Sequence, residues 1–452
     1  MRTPAPDARP VALAVAGSDA GGGAGLQADL KAMEAQGVFG TSAVTAVTAQ
    51  NTRGVESTHV LPVEEVRAQV EAVLSDFDVR AVKTGMLATE PIVSSVADRA
   101  ADLDVPLVVD PVMVAATGDR LLDPGAEAAY EGLLAEATLA TPNADEAEVL
   151  SGTEVEDHGT AVEAGEHLLD TGADAALLKG GHLSGETVRD VLVTPGGVET
   201  FEHPRVDTDA THGSGCALAS AVAARLATGD TITEAVEAGV SFLARAVRYH
   251  LDVGEGPGAV HHLAELRDRA ARDPTREAVE GVVREFVDAD VSAVVPEVGM
   301  NVVGATPYAE EPGETAAVEG RITRTLSGVH PNRGVRFGAS SHVARFLLSA
   351  REFDPDLRFA VDCRFCEDVE RALADLDGPA VELDRTEEPE PDVEGSTMGW
   401  VAGRAFEGVS GTPAAVYDRG DVGKEAIVRV LAPDARTVTS RVLALAEAVE
   451  TG

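Results

Sequence analysis

Aromatic residues, cysteines and long apolar runs are scarce in this sequence. Aromatic residues make up 4% of the 452 positions, so hydrophobic cores must be built mainly from Ala, Val and Leu. Three cysteines argue against a disulfide framework and for a reducing environment. No apolar run approaches the ~18–20 residues of a transmembrane helix, and the first ten residues lack the apolar segment of a signal peptide. The composition predicts a soluble cytoplasmic protein without a membrane partner.

Positive charge is also scarce. The sequence has 77 Asp and Glu against 36 Lys and Arg, which gives a net charge of −41. An acid excess spread along the whole chain is typical of adaptation to high salt, which screens self-repulsion. It argues against a nucleic-acid partner, because phosphate contacts need clustered bases. The few lysines that remain are therefore candidates for a function: Lys31, Lys83, Lys179 and Lys424.

Short apolar runs alternate with helical patterns through the first half of the chain. Val11–Ala16 precedes a glycine-rich loop and a helical pattern over 26–36, and the same order recurs up to residue 178. This alternation predicts an α/β domain with a mostly parallel sheet and helices on both faces. Polar residues follow the predicted strands, at the sheet edge where such folds bind ligands: Asp19, Gln50, Asp110, Asn143 and Lys179.

The pattern changes after residue 253. Gly254–Gly258 is rich in glycine, and a charged helical stretch then leads to Asp273-Pro274. We therefore place a first domain at 10–255, a linker at 256–274 and a second α/β domain at 275–452. The second domain is expected to open with a helix near 276–288 and strands near 292–298.

The stretch 211–219 joins a polar segment to a helical run of small residues. Unpaired N–H groups at a helix start bind anions, and Gly213 and Gly215 would let the backbone approach a phosphate closely. Ser214 can cap the helix. Cys216 would lie in the first turn, where the helix field favours the thiolate and lowers the pKa of the thiol. A buried, inert thiol at a tight helix start is the alternative.

Two nucleotide-binding motifs can be tested against the sequence. Gly23–Ala28 fits G-x-G-x-x-A, but no acidic residue lies between Glu34 and Glu56, where a dinucleotide site needs one. A Walker A loop is absent because Gly-Lys-Ser/Thr does not occur. A glycine-rich anion site, Lys83 and Lys179, and carboxylates suited to magnesium are the parts of an ATP-dependent phosphoryl transferase. The carboxylates are Asp110 and Glu146.

Eight segments between about residues 10 and 252 together resemble the hydroxymethylpyrimidine/phosphomethylpyrimidine kinases (ThiD), which have a ribokinase-like fold. They are AGSD (16–19), GGAGLQADLK (22–31), AQNT (49–52), KTGML (83–87), DPV (110–112), TPN (141–143), KGGH (179–182) and THGSGC (211–216). The resemblance implies two successive ATP-dependent phosphorylations of 4-amino-5-hydroxymethyl-2-methylpyrimidine, to the mono- and then the diphosphate. Pyridoxal kinases share this fold and chemistry, so a related vitamer kinase is an alternative.

The resemblance also implies roles for individual residues. Gln50 would hydrogen-bond the aminopyrimidine edge, Asp19 would fix the pyrimidine or its hydroxymethyl group, and Cys216 would take the hydroxyl proton. Gly17, Met86 and Val112 would complete the substrate site. The anion hole and ATP site would comprise Gly213, Ser214, Gly215, Lys179 and Asn143, and Mg²⁺ would be held by Asp110 and Glu146.

The second domain contains a window without acidic residues. From Gly320 to Arg351 there is no Asp or Glu, although about five would be expected in a window of this length. The window holds six arginines, whose forked guanidinium groups suit phosphate oxygens: Arg321, Arg324, Arg333, Arg336, Arg345 and Arg351. Contact with nucleic acid, or packing against an acidic neighbour, is the alternative. Cys363 and Cys366 form a lone C-x-x-C, for which we expect no metal or redox role.

Residues 280–445 resemble the archaeal ThiN-type thiamine-phosphate synthases, which implies coupling of the pyrimidine diphosphate with 4-methyl-5-(2-hydroxyethyl)thiazole phosphate. The matching segments are GMN (299–301) with PYA (307–309), GRI (320–322), FGAS (337–340) with HVAR (342–345), and YDRG (417–420) with GKE (423–425). Arg321 and His342 are the catalytic candidates, and Ser340, Ser341, Arg345 and Lys424 the phosphate contacts. A thiamine-phosphate sensor without catalysis is the alternative. With the acidic composition, the fusion indicates a halophilic, archaeon-like source, and a homodimer is left open.

Overall fold

A computed structural model describes residues 7–114, 121–182, 185–384, 396–420 and 425–451. The chain divides into two compact units, Met1–Glu265 and Leu266–Gly452. The domain limits inferred from the sequence, 10–255, 256–274 and 275–452, stay predictions. No helix in the described ranges has the length and apolar character needed to cross a bilayer.

A nine-stranded sheet forms the centre of the first unit, as far as the structure describes it. Its strands are β1 (Val11–Asp19), β2 (Phe39–Asn51), β3 (Gly54–Val60), β4 (Val79–Thr84), β5 (Leu107–Val109), β6 (Leu139–Ala140), β7 (Ala176–Leu178), β8 (Thr187–Thr194) and β9 (Gly197–Pro204). Their order across the sheet is β3-β2-β1-β4-β5-β6-β7-β8-β9. The strands from β2 to β7 in this order are parallel, and β3, β8 and β9 are antiparallel additions at the two edges.

Helices cover both faces of this sheet. They are α1 (Gly25–Ala35), α2 (Val63–Leu74), α3 (Glu90–Ala100), α4 (Tyr130–Leu134), α5 (Ala144–Ser151), α6 (His158–Thr171), α7 (Ser214–Thr228) and α8 (Ile232–Arg248). Buried residues of α2, α3, α4 and α6 form the core on one face, and those of α1, α7 and α8 pack on the other. The predicted mostly parallel sheet between two helical layers is confirmed.

The parallel strands bring the polar residues that follow them to one edge of the sheet. Asp19 ends β1, Asp110 follows β5, and Lys179 follows β7. Asn143 follows β6 and pairs with Lys179 in an isolated parallel bridge. Because neighbouring parallel strands end on the same side, these residues are neighbours in space although they are far apart in the sequence.

The second unit also contains a mixed sheet with helices on both faces. Its elements are α9 (Ala264–Ala270), which begins just before the unit boundary, α10 (Arg272–Ala289), β10 (Val302–Ala305), β11 (Thr315–Val318), β12 (Ile322–Thr325), β13 (Gly328–Pro331), β14 (Val335–Phe337), α11 (His342–Arg351), β15 (Phe359–Arg364), α12 (Glu367–Leu373), β16 (Ala380–Leu383), α13 (Ser396–Phe406), β17 (Ala415–Asp418), β18 (Ile427–Ala432) and α14 (Ala435–Thr451). Within the described ranges, seven strands order as β14-β11-β10-β15-β18-β17-β16, and β12 and β13 form a separate two-stranded sheet in which Ile322 also bridges to Met300. Helices α10, α12 and α14 pack on one face, and α11 and α13 on the other.

The strands expected near 292–298 are wrong. Val291–Val294 is a 3₁₀ helix, and the following segment runs as a loop to Gly299. Val291, Val294 and Val295 are nevertheless buried in the core. These valines therefore pack in the core although they do not pair with a strand. Pro296 lacks the backbone N–H that a β-strand would need for hydrogen bonding to its neighbour.

Candidate functional site

Asp19 organises the glycine-rich loop that follows β1. Its side chain is buried; Oδ1 accepts the N–H of Gly21 at 2.8 Å, and Oδ2 accepts those of Gly23 at 2.9 Å and Ala24 at 2.7 Å. His212 Nε2 lies 3.1 Å from the same Oδ2. Burial alone would raise the pKa of Asp19, but the hydrogen bonds from His212 and the backbone outweigh it and lower the pKa. An ionised Asp19 thus ties the loop to the start of α7.

Three backbone segments meet at their glycines beside Asp19. Gly213 has φ +81°, and a Cβ there would lie 1.9 Å from the carbonyl oxygen of Gly23. Gly25 has φ +54°, and its Cβ would lie 2.6 Å from the carbonyl oxygen of Gly17. Only glycine allows such close backbone contact at positive φ. The structure therefore brings together Gly17 and Gly213, which the sequence assigned to the substrate and phosphate sites.

The start of α7 lies next to a lysine. Gly213 is the residue that precedes the helix, with no side-chain cap, so the expected capping by Ser214 is wrong. The Ser214 N–H donates to the carbonyl of Thr211, but N–H groups in a first helical turn have no acceptor within the helix. Lys179 Nζ is 3.2 Å from where a Cβ on Gly215 would be. The Lys179 ammonium group thus lies next to the N-terminus of α7, and the two together favour binding of an anion.

Lys179 also joins the two carboxylates that the sequence assigned to magnesium. Its Nζ donates to Asp110 Oδ1 at 2.8 Å and lies 3.7 Å from Glu146 Oε2. Burial alone would lower the pKa of Lys179, but the two carboxylates outweigh it and raise the pKa, so the ammonium stays charged. Burial raises the pKa of Glu146, although Lys179 opposes this. The structure brings these three predicted residues together.

Asn143 and Glu146 have a local structural role besides the one predicted. Asn143 Oδ1 accepts the Glu146 N–H, and Glu146 Oε2 accepts the Asn143 N–H, both at 2.9 Å. This reciprocal pair is a capping box at the start of α5. Their N-x-x-E spacing is thus explained by the helix start, and a contact with ATP or magnesium stays a prediction.

A buried ion pair beside the site was missed by the sequence analysis. Lys83 Nζ donates to Asp29 Oδ1 at 2.8 Å, and both side chains are fully buried. Ser220 donates to the same oxygen at 2.7 Å, and Lys83 Nζ lies 4.0 Å from Asp110 Oδ2. Asp29 follows Leu26 by three residues on the apolar face of α1. An acid on that face is the signal that could have identified it.

The expected lowering of the Cys216 pKa is wrong. Cys216 lies in the first turn of α7, as predicted, but burial raises the pKa of its thiol to about 11, although Lys83 and the Gly25 N–H oppose the shift. The loss of solvation therefore outweighs the field of the helix start. The thiol is protonated at neutral pH.

The residues predicted to bind the pyrimidine border the same loop. A Cβ on Gly17 would lie 2.9 Å from Met86 Sδ, and Met86 packs with Val112 in a small apolar cluster. Gln50, near the end of β2, is partly exposed, and its backbone carbonyl oxygen would be 3.5 Å from a Cβ on Gly21. An apolar wall and the backbone of Gln50 thus flank the loop that Asp19 holds.

Arg321 in the second unit adopts a strained backbone conformation. Its φ is +68°, which non-glycine residues rarely adopt. The side chain of Asn332 donates to the carbonyl of Gly320 at 2.5 Å, and its N–H donates to the carbonyl of Arg321 at 3.0 Å. Arg321 Nη1 donates to the Val298 carbonyl at 2.5 Å. Asn332 thus holds the backbone around Arg321, and the Val298 carbonyl holds its guanidinium.

His342 begins α11, directly after Ser340 and Ser341. Burial lowers the pKa of His342; the nearby guanidinium groups of Arg321 and Arg345 lower it as well, against an opposing carboxylate. The imidazole is therefore neutral at pH 7 in the absence of an anion. The structure brings Arg321, His342 and Arg345 into one electrostatic cluster.

The other arginines of the acid-free window divide into two groups. Arg333 and Arg336 pair with Glu319 at 3.1 and 3.0 Å, and Arg351 is buried and donates to the Thr306 carbonyl at 2.8 Å. These three are committed to the protein itself. By contrast, Arg324 and Arg345 have no ion pair with any described residue. Lys424, predicted as a further phosphate contact, lies outside the described residues.

Three further ionisable residues near His342 were missed by the sequence analysis: Asp362, Asp418 and Arg429. Arg429 is buried and lies between the two carboxylates, 3.4 Å from Asp418 and 3.9 Å from Asp362. They lie on three different strands, so their association depends on strand order and register. No spacing in the sequence indicates it.

Comparisons with known proteins agree with this arrangement. A family model described as phosphomethylpyrimidine kinase matches residues 19–261, and one described as thiamine-phosphate synthase ThiN matches 278–444. The hydroxymethylpyrimidine/phosphomethylpyrimidine kinase of Streptomyces coelicolor is 48% identical over 265 residues, 58% of this chain and 98% of the relative. The bifunctional thiamine biosynthesis protein ThiDN of Methanocaldococcus jannaschii is 30% identical over 442 residues, 96% of this chain and 97% of the relative.

Among solved structures, the first unit is similar to the Staphylococcus aureus pyridoxal kinase in complex with AMP-PCP and pyridoxal. The TM-score is 0.54 at 32% identity, over 58% of this chain and 96% of the other. The shared ribokinase-like fold agrees with the sheet order and the two helical layers described above.

Proposed function

We infer that the chain is a bifunctional enzyme of thiamine biosynthesis. It belongs to the phosphomethylpyrimidine kinase family over its first part and to the ThiDN family over nearly its whole length. The first unit phosphorylates 4-amino-5-hydroxymethyl-2-methylpyrimidine with ATP, to the monophosphate and then to the diphosphate. The second couples the diphosphate with hydroxyethylthiazole phosphate, which yields thiamine phosphate and diphosphate. The observation that carries the kinase assignment is the convergence of Lys179, Asp110 and Glu146 at the start of α7.

Phosphoryl transfer needs mainly positioning and charge neutralisation. Lys179 lies beside Gly215, and together with the N–H groups of Gly215 and Cys216 in the first turn of α7 it would bind the transferred phosphate oxygens, whereas the Ser214 N–H is used by Thr211. Asp19 and Gln50 would hold the pyrimidine, with Gly17, Met86 and Val112 along its flat faces. Because its thiol is protonated at rest, Cys216 would accept the hydroxyl proton only in the small fraction of molecules that carry the thiolate.

Magnesium is the cofactor proposed for this site, and the donor set fits it. Asp110 and Glu146 each bring a carboxylate to Lys179, but no group of three or more possible metal-ligating residues occurs in the described ranges. Magnesium in kinases takes one or two carboxylates and completes its shell with phosphates and water. Asp110 and Glu146 would hold the ion, which when bound neutralises charge on the ATP phosphates. Asn143 would orient the nucleotide from the same helix start.

The second site has to stabilise a leaving diphosphate. Arg321, His342 and Arg345 form the cationic cluster for it, and Ser340 and Ser341 precede the helix start that would bind its oxygens. A bound anion would raise the pKa of His342 and favour the imidazolium, which can then donate to the diphosphate. Coupling itself requires little further chemistry from the protein once the charge is stabilised.

The full chain in high-salt buffer, with ATP, Mg²⁺, the pyrimidine and thiazole phosphate, should form thiamine phosphate and diphosphate. Product analysis by chromatography and mass spectrometry tests both steps at once. Tight binding of thiamine phosphate without its formation would favour a sensor domain instead. The similarity to a pyridoxal kinase makes pyridoxal the competing kinase substrate, and faster phosphorylation of pyridoxal than of the pyrimidine would overturn the assignment.

Two properties of the whole chain are proposed from composition. The net charge of −41 suits a protein that works in high salt, as in a halophilic archaeon. The three cysteines are free thiols, which suits the reducing cytoplasm. Retention of activity at molar KCl, and its loss at low salt, would support the first property.

A further inference from the structure

A row of ionisable side chains crosses the second sheet beneath α11. Asp362 on β15 lies directly opposite Arg429 on β18, and Asp418 ends the next strand, β17. Side chains two residues apart on a strand share a face. Ala360 and Leu431, two residues from Asp362 and Arg429, pack in the core with α11. The charged row therefore continues this apolar face, on the side of the sheet where His342 begins the helix.

The two carboxylates of the row differ in their partners. Arg429 Nη1 donates to Asp418 Oδ2 at 3.4 Å, whereas Arg429 Nε is 3.9 Å from Asp362 Oδ1, beyond a hydrogen bond. Asp362 Oδ1 is buried and has no hydrogen-bond partner among the described residues, while the side chain as a whole keeps 22% exposure. Leaving a buried acceptor unsatisfied is costly. Asp418 is thus the partner of Arg429, and Asp362 keeps an unused acceptor on a side chain that is itself partly exposed.

Asp362 lies near two of the groups assigned to the leaving diphosphate, His342 and Arg321. His342, Arg321 and Arg429 all interact with it electrostatically. A carboxylate in such a cluster repels phosphate oxygens and weakens their binding. Its position is understandable if it faces a different part of a ligand, one that carries an N–H donor.

We propose that Asp362 binds the aminopyrimidine ring of the diphosphate substrate in the second unit, through the exocyclic amino group and the neighbouring ring nitrogen. The proposal rests on the synthase function given above. A carboxylate oxygen accepts the amino N–H, and a protonated carboxyl also donates to the ring nitrogen. The thiazole ring carries no N–H donor, so Asp362 also determines which of the two rings occupies this place.

The charge environment is compatible with either form of the carboxyl. Burial raises the pKa of Asp362, whereas Arg429, His342 and Arg321 oppose the shift. Arg429, which also lies over the ring of Phe346 at 5.5 Å, is hydrogen-bonded to Asp418 and not to Asp362. Substitution of Asp362 should therefore change ring recognition more than it changes the cations around it.

The test compares two diphosphates on the full chain, without ATP, so that the kinase is idle. One is the natural 4-amino substrate; the other is its 4-oxo analogue, in which a carbonyl and a ring N–H replace the amino group and the ring nitrogen. An asparagine presents the complementary pattern to the analogue. For Asp362→Asn we expect kcat/KM for the amino substrate to fall about 100-fold and the preference to move toward the analogue. The KM for thiazole phosphate should change less than about twofold.

Asp418→Asn is the matched control, because it removes a carboxylate from the same arginine. We expect it to lower activity without moving the preference between amino and oxo substrates. The same loss in both variants, or an unchanged preference in Asp362→Asn, would overturn the proposal. Asp362→Ser, which should lose the amino preference without gaining the oxo analogue, provides a second variant if Asp362→Asn fails to fold.

Equilibrium binding of the two diphosphates to the same variants gives an answer that does not need turnover. The contribution of the kinase unit is constant, since the substitutions lie in the other unit. Suppose that the chain does not couple the two substrates but that substitution of Asp362 changes which diphosphate binds more tightly. This result would contradict the synthase function and support the ring-binding role. Preference that does not change would contradict the ring-binding role alone.

Discussion

In the first unit, Lys83 and Lys179 each lie 2.8 Å from a carboxylate and are largely or fully buried, whereas Arg324 and Arg345 in the second unit have no ion pair with a described residue. The lysines are thus fixed before a ligand arrives. The arginines remain available for oxygens that the ligand brings. This very acidic chain therefore positions its cationic side chains in two ways. In the first unit they are buried in ion pairs, and in the second they lie in a stretch of sequence that contains no Asp or Glu.

The difference follows from what each site receives. ATP would arrive at the first site with magnesium, so the protein must position charge more than supply it. The pyrimidine diphosphate arrives at the second site without a nucleotide, and arginine and histidine must balance its leaving group themselves. Removing one buried cation should consequently harm the first site more than removing one exposed arginine harms the second.

Lys179→Ala should have the largest effect, because it removes a cation from the phosphate site and leaves Asp110 and Glu146 without the ammonium group that they share. We expect kinase turnover to fall more than about 1000-fold, while coupling of supplied pyrimidine diphosphate is unchanged. Release of ADP measures the first activity and thiamine phosphate the second. Arg189→Ala, which breaks an exposed pair with Glu202, is the control and should leave both rates near wild type. Kinase turnover within tenfold of wild type in Lys179→Ala would remove Lys179 from the mechanism.

The buried pair Asp29–Lys83 should contribute mainly to stability. Lys83→Met leaves Asp29 buried without its cation, which costs about 3–5 kcal/mol of the free energy of unfolding. The double variant Lys83→Met/Asp29→Asn should recover most of that loss, because it removes both charges. Urea unfolding followed by circular dichroism gives the values. Equal instability of the single and double variants would show that packing, and not the unpaired carboxylate, dominates.

Arg321→Ala should lower coupling about 100-fold or more and leave the kinase rates unchanged. Because Arg321 has φ +68°, Arg321→Gly should relieve backbone strain and be more stable than Arg321→Ala by about 1 kcal/mol, with the same loss of coupling. Arg333→Ala removes a guanidinium that is already paired with Glu319, so it should change coupling less than about twofold. Equal losses in Arg321→Ala and Arg333→Ala would mean that net charge alone governs this site.

The sequence predicts the parts of the sites that depend on local order. Strand, loop and helix alternate, so Asp110 and Lys179 are expected at one sheet edge, and they meet there. Pairs that depend on packing between distant elements are not predictable in this way. Asp362 and Arg429 meet only because β15 and β18 are neighbours in a particular register.

The pKa of Cys216 shows a different limit. Its place in the first turn of α7 is correctly predicted, but the solvation of the thiol depends on how α1 and β4 pack around it. A helix start acts over one turn, whereas desolvation depends on all the atoms nearby. The sign of the shift therefore needs the tertiary structure.

Cys216→Ala should have the smallest effect on catalysis, about 100-fold on kinase turnover, with the KM for the pyrimidine within about threefold of wild type. The thiolate is the reactive form, and burial raises the pKa of Cys216 to about 11. Alkylation of Cys216 by iodoacetamide should therefore rise about tenfold per pH unit from neutral pH upward and level off only near pH 11. Peptide mapping separates Cys216 from Cys363 and Cys366. A rate that levels off near neutral pH would show that the helix start outweighs burial after all, and would restore a resting thiolate as the base.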